Sequence, residues 1–257
     1  MVHKNLVIIP TYNESENILD IIDAVMALKP KFELLIIDDG SPDGTAGLVK
    51  SAQLSYDDRI HLIEREKKLG LGTAYIRGFE FALENGYDYV FEMDADFSHN
   101  PNDLVKLYTQ ASEGGYDLAI GSRYIKGVNV VNWPMGRVLM SYFASWYVRL
   151  ITGIPIMDTT AGFKCYHRRV LEALEPQKIH FIGYAFQIEM KFNAWKRGFK
   201  IVEVPIVFTD RTRGTSKMSS GIFKEAVFGV IELKIRSLFR KYEPAHAISR
   251  TESPQSA

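Results

Sequence analysis

Short apolar runs closed by polar clusters alternate with helix-periodic segments from the N-terminus to Tyr124. That alternation limits the fold more than any other feature. Residues 6–9, 34–37, 60–64, 89–93 and 118–120 are apolar runs of strand length. Helices are predicted between them. One covers 13–28, with Asn13 or Ser15 as its cap and Ile18, Ile21, Ile22, Val25 and Leu28 on one face. Others cover 45–55, 74–85 (opened by Gly70-Leu71-Gly72-Thr73) and 103–112. Strands and helices in strict turn predict an α/β fold, a mostly parallel sheet with helices on both faces. Ligands of such sheets bind beyond the carboxyl ends of the strands. The polar clusters fall there, after Ile9, Ile37, Met93 and Ile120.

Past Tyr124 the pattern changes. Residues 133–157 are rich in aromatics and Met, with Arg137 and Arg149 among them. Helices are predicted over 170–174 and 184–195, late strands over 200–204 and 206–208, and an amphipathic helix with a basic end over 222–239. Residues 242–257 read as a disordered tail, which leaves 1–241 as a single domain. The basic and acidic residues number 31 each, without the basic excess of a dedicated nucleic-acid binder. The single cysteine, Cys165, excludes an internal disulfide and reads as a core hydrophobe. The apolar runs at 138–148 and 226–231 fall short of the ~20 residues that span a bilayer. The N-terminus lacks a signal-peptide pattern, so the cytosol or the cytosolic face of a membrane is expected.

Asp94-Ala95-Asp96 puts two carboxylates on one side of an extended chain just past a strand. Their mutual repulsion invites a hard divalent cation, Mg2+ or Mn2+; the alternative is a solvated turn. Asp38, Asp39 and Asp43 stand in a glycine-containing turn. Acids there can hold nucleotide hydroxyls, and Asp43 equally suits a cap of the next helix. Gly70-Leu71-Gly72 either offers backbone N–H groups to a phosphate or is a structural turn. Arg123 ends a strand on the same rim, and Arg211, Arg213 and Lys217 form a basic loop that is either a phosphate clamp or a solvated surface. The segments at 133–157 and 222–241 either pack on the core or lie in a membrane interface. His99 and His180 read as loop or surface residues.

Taken together, Ile9 to Glu14, Ile37 to Thr45, Leu69 to Tyr75, Met93 to His99, Gly121 to Tyr124 and Asp210 to Lys217 resemble dolichol-phosphate (polyprenol-phosphate) mannose synthases. These belong to the inverting GT-A glycosyltransferases of family 2. The resemblance covers about residues 9 to 240. It implies a GT-A nucleotide-diphospho-sugar transferase fold, with a donor-binding half at 1–124 and an acceptor and membrane-facing half at 125–241. It implies a GDP-mannose donor, with Pro10, Tyr12, Glu14, Ile37 and Asp39 around guanosine. Asp94, Ala95 and Asp96 match the metal and diphosphate site. Arg123, Arg211 and Lys217 match the basic groups at the phosphates, and Arg137 and Ser141 would meet the lipid phosphate of a dolichyl or polyprenyl phosphate. Catalysis would rest on Asp94, Asp96 and Arg123. Some members hold the metal with Gln at the position of Ser98, a departure that puts its role as a ligand in doubt. Many members also carry C-terminal transmembrane helices. This chain resembles the type without them, which meets the membrane peripherally and in some organisms needs small membrane partner subunits.

The same fold also serves UDP-glucose or another nucleotide sugar, with a polyprenyl-phosphate or polysaccharide acceptor. A phosphatase with an aspartate nucleophile would place its Asp-x-Asp after the first strand, and here the motif follows the fourth. A non-catalytic binding protein would be expected to lack one of the acids or bases.

Overall fold

The computed structural model describes residues 3–211, 213 and 221–245, and their side chains except those of Tyr184 and residues 221–226. Lys217 and most of the expected tail lie outside them.

Five strands carry the predicted order: β1 (Asn5–Thr11), β2 (Glu33–Asp38), β3 (Ile60–Glu64), β4 (Tyr89–Glu92) and β5 (Leu118–Ser122). Between them run α1 (Ile18–Met26), α2 (Thr45–Gln53), α3 (Leu71–Glu84) and α4 (Asp103–Ser112). Then come β6 (Val130–Val131), α5 (Met135–Thr152), β7 (Lys164–His167), α6 (Arg168–Leu174), α7 (Tyr184–Lys196), β8 (Ile201–Pro205), β9 (Phe208–Thr209) and α8 (Gly221–Phe239). The main sheet has the order β3-β2-β1-β4-β7-β5-β8. All pairings in it are parallel except those of β7, which runs against both neighbours. Two reversals cancel, so β5 points the same way as β4 and their carboxyl ends share one rim.

Side-chain alternation builds the two core layers. Along β1, Leu6 and Ile8 face the layer of α3, α6, α7 and α8, whereas Val7 and Ile9 face that of α1, α2 and α4. All four are fully buried. Such two-sided burial explains why these strands read as unbroken apolar runs.

Four expectations need correction. Residues 13–17 are not helical: Asn13 has φ +56°, and the N–H groups of Asn17 and Ile18 both bond to the Glu14 carbonyl, closing a turn before α1. No side chain caps α1. Strand β7 had no apolar run to announce it, because Lys164 opens it. That lysine is buried against Glu92, Nζ to Oε1 at 3.1 Å, and Gln187 bonds both partners. The start of the expected tail is docked: Tyr242 packs by Arg197 and Phe192, and the Ala245 N–H bonds to the Arg197 carbonyl. His99 is buried rather than on the surface.

Candidate active site

The parallel strand ends deliver the polar clusters to one rim. After β1, the turn through Tyr12, Asn13 and Glu14 folds onto the β2–α2 loop. The Asn13 N–H bonds to Ser41 Oγ at 2.9 Å and the Glu14 N–H to Thr45 Oγ1 at 3.1 Å. Asp38 is spent on this scaffold, accepting from Thr11 and Ser41. Asp43 is the cap the sequence allowed: it accepts from Thr45 and Ser15. Against the penalty of its burial, those bonds hold its carboxyl down to about 2. Asp39 is left to face the rim, paired with Arg65, whose Nε lies 2.6 Å away. Burial pushes the Asp39 carboxyl up, and Arg65 opposes that. Pro10 is half-buried and Ile37 fully buried beside these acids, and Lys68 Nζ stands 5.3 Å from the Tyr12 ring centre.

In Gly70-Leu71-Gly72 the last glycine has a structural role. The Gly72 N–H is used on the Ile182 carbonyl at 2.8 Å, and a Cβ there would meet Ile182 backbone at 2.8 Å. Only glycine lets α3 start that close to the 179–183 segment.

Past β4 the two motif acids differ in exposure and partners. Asp96 is buried, accepts the Ser98 N–H at 3.0 Å and pairs with Arg211, Nη2 to Oδ2 at 2.7 Å. Arg211 also lies 3.9 Å from Glu14. It reaches there because β9 is sewn to the motif loop: the Thr209 N–H bonds to the Ser98 carbonyl, and His99 and Phe208 form a bridge. Asp94 sits in a recess, 40% exposed. Burial, and then the charge of Asp96, push its carboxyl up to about 7. Ala95 and Ser98 are buried between and behind the two acids.

Arg123 follows β5. Asp158 takes its backbone N–H at 2.9 Å, its Nε at 2.7 Å and its Nη2 at 2.6 Å. Burial opposes the charge on Asp158, and Arg123 overcomes it, holding the carboxyl below the usual range. Glu203 on β8 in turn accepts the N–H groups of Met157 and Asp158. The Trp133, Tyr124 and Phe208 rings surround the guanidinium. Arg137 lies over Trp133, 4.2 Å from its centre, and pairs with Asp210 at 2.8 Å.

Only part of this set meets in one cavity of about 420 Å³: Asp94, Arg123, Arg137 and Ser141 line it, whereas Tyr12, Glu14, Asp39, Asp96 and Arg211 do not. Asp94, His99, Arg123, Arg137 and Ser141 share its wall with Met140, Phe143, Tyr147 and Val227 of α5 and α8. Both helices pack inward through small or apolar residues such as Ser145, Val148 and Val230, and turn bulky ones outward. Met135 is 70% and Phe228 69% exposed.

Among the described residues no three His, Cys, Asp or Glu side chains cluster as a ready ligand set. A divalent ion would have Asp94 and Asp96 and take the rest of its shell from phosphate and water, which is how Mg2+ is usually held. Burial, and then the charge of Asp96, raise the Asp94 carboxyl, and a cation bound there would favour its ionised form.

Residues 6–175 match the profile described as Glycosyl transferase family 2. The chain belongs to glycosyl transferase family 2. Among family relatives, a polyprenol monophosphomannose synthase of Mycolicibacterium smegmatis is 47% identical over 91% of this chain and 88% of its own length. An undecaprenyl-phosphate mannosyltransferase of Micrococcus luteus is 43% identical over 88% and 91%. The fold resembles that of the Mycobacterium tuberculosis glucosyl-3-phosphoglycerate synthase solved with Mn2+, UDP and glucosyl-3-phosphoglycerate. That likeness has a TM-score of 0.64 at 19% identity, covering 91% of this chain and 79% of that one. The family and the GT-A fold expected from the motifs are therefore those found. Sequence reading missed Asp158, Glu203 and Arg65. Each acts through a partner distant in sequence, and only Asp158, in a polar stretch before Gly162, left a local trace.

Proposed function

We propose that this family-2 enzyme transfers mannose from GDP-mannose to the phosphate of a polyprenyl or dolichyl phosphate, with inversion at the anomeric carbon. One observation carries the reading. A single cavity joins Asp94, Arg123 and Arg137 to the apolar sides of α5 and α8, whose outer faces are also apolar. A substrate that is a phosphate at one end and a hydrocarbon chain at the other fits such a wall. The two mannosyltransferase relatives support both the sugar and the acceptor.

The guanosine end belongs at Pro10, Tyr12, Glu14, Ile37 and Asp39. Asp94 and Asp96 would hold Mg2+ or Mn2+, which neutralises charge on the donor diphosphate. Arg123 is locked in place by Asp158 and needs no reorganisation to stabilise the charge that develops on the leaving group. Arg137 and Ser141 would meet the acceptor phosphate; Lys217, outside the described residues, is assigned to the basic set by the family motif alone. An acceptor phosphate oxygen forms the bond to the anomeric carbon as the bond to the GDP oxygen breaks and its electron pair leaves with GDP. A phosphate monoester is already anionic, so no general base is required. Among the described residues no helix is long and apolar enough to cross a membrane. The exposed faces of α5 and α8 would instead rest in the interface of the cytoplasmic leaflet, with their Arg and Lys at the headgroups.

The test is transfer of radiolabelled sugar to polyprenyl phosphate, from GDP-mannose and UDP-glucose in parallel, each with Mg2+, Mn2+ or chelator. Lipid-phase label from GDP-mannose that needs the metal, and is lost in Asp94→Ala and Asp96→Ala, is expected. Label from UDP-glucose alone would replace the donor, and turnover retained in both variants would remove the metal assignment.

A further inference from the structure

His99 is a polar side chain where packing alone would call for an apolar one. It is 3% exposed, stacked on Phe163 at 4.8 Å between ring centres and met edge-on by Phe208 at 5.2 Å. Its backbone is bridged to Phe208, so the ring is held from both sides and from below. A phenyl ring would fill that slot without burying a polar atom. Instead Nδ1 is buried with no hydrogen-bond partner, and unlike buried polar atoms elsewhere in the chain such as Ser145 Oγ or Thr159 Oγ1 it faces a motif acid. The acid it faces is Asp94, Nδ1 to Oδ2 at 3.7 Å. The two differ in freedom: the imidazole is clamped, whereas Asp94 keeps 40% of its surface open to the cavity. A carboxylate shift of less than about 1 Å would bring the pair within hydrogen-bond range.

We propose that His99 is the positioning residue for Asp94. When the site loads, its Nδ1–H donates to Asp94 Oδ2 and fixes the direction of the carboxylate, leaving the other oxygen for the cation and donor. This rests on the metal reading of Asp94 and Asp96 given above. Carboxylates that hold metals are commonly oriented by such outer hydrogen bonds, and losing one typically weakens metal binding by about 10- to 100-fold.

The test is Mn2+ affinity measured by electron paramagnetic resonance, with and without GDP, for wild type, His99→Phe and His99→Asn. Phe fills the slot between the two rings but has no donor; Asn restores an N–H close to the position of Nδ1. His99→Phe is expected to melt near wild type yet bind Mn2+ about 10-fold more weakly, and His99→Asn to recover most of that loss. Equal affinity in wild type and His99→Phe would overturn the proposal and leave the metal reading standing. So would an Asn variant as weak as Phe, since ring shape rather than a donor would then be at work. A wild type that binds no Mn2+ in either condition would overturn the metal reading, and this proposal with it.

Discussion

Replacing Asp158 by Asn removes a charge and little else. The wild-type carboxylate is fully buried and accepts three N–H groups of Arg123, one from the backbone and two from the guanidinium. An amide oxygen can accept, but the amide NH2 turned toward Arg123 cannot, and the guanidinium charge loses its counterion. Removing one member of a buried pair costs about 3–5 kcal/mol, mostly through the stranded partner. Arg123 lines the cavity and can recruit water there, which puts the expected loss at the lower end, ~3 kcal/mol. In a chain of this size that lowers the melting temperature by roughly 6–10 °C. Urea unfolding should show a lower midpoint with an unchanged slope. The sign of the pH dependence follows from the depressed Asp158 carboxyl. Its contribution is full above the unfolded carboxylate value of about 4 and is lost as pH falls through the lower folded value. The wild-type advantage over Asp158→Asn should therefore shrink on acidification. A loss below about 1 kcal/mol at neutral pH, or a gap that widens in acid, would refute the reasoning.

Arg211→Gln removes the guanidinium bonded to Asp96, so Mn2+ alone should bind about 2- to 5-fold more tightly while GDP-mannose binds more weakly, read by calorimetry. Because the Asp94 carboxyl is pushed up to about 7, protons compete with Mn2+ below that pH. Titrations at stepped pH should show affinity falling as pH drops through about 7 and levelling above it; an affinity that stays flat across that pH would refute the link. Trp146→Ser with Phe228→Ser, at positions 53% and 69% exposed, should cut sedimentation with anionic vesicles by at least about 10-fold and leave GDP binding unchanged.

The first half of the fold was legible because its strands are buried on both faces. Runs such as residues 34–37 admit few other readings, and β3 and α4 begin and end where their patterns do. The turn at 13–17 was misread as helix because apolar spacing from Ile18 onward says nothing of where the first helical bond forms. The Glu14 carbonyl decides that. Strand β7 was illegible because Lys164 breaks the pattern and its partner Glu92 is far away in sequence. At the site, the motif acids and Arg123 were visible as residue types at strand ends. Their roles were not, since Arg123 depends on Asp158 and Asp43 is consumed by Thr45 and Ser15. His99 looked like a surface residue because nothing local signals the two phenyl rings that enclose it.

The reversed strand β7 also sets a distance. Neighbouring strands lie about 4.8 Å apart, so the ends of β4 and β5, with β7 between them, stand about 10 Å apart. Were β4 and β5 adjacent, the acids past Glu92 and the arginine past Ser122 would fall close enough to neutralise each other directly. The interposed strand works as a spacer between the end of β4, which leads to Asp94, and the end of β5, which leads to Arg123; the pairs Arg211–Asp96 and Arg137–Asp210 form across loops instead. The strand fills the gap below with its own lysine, paired with Glu92, so that lysine adds no unpaired charge beneath the rim.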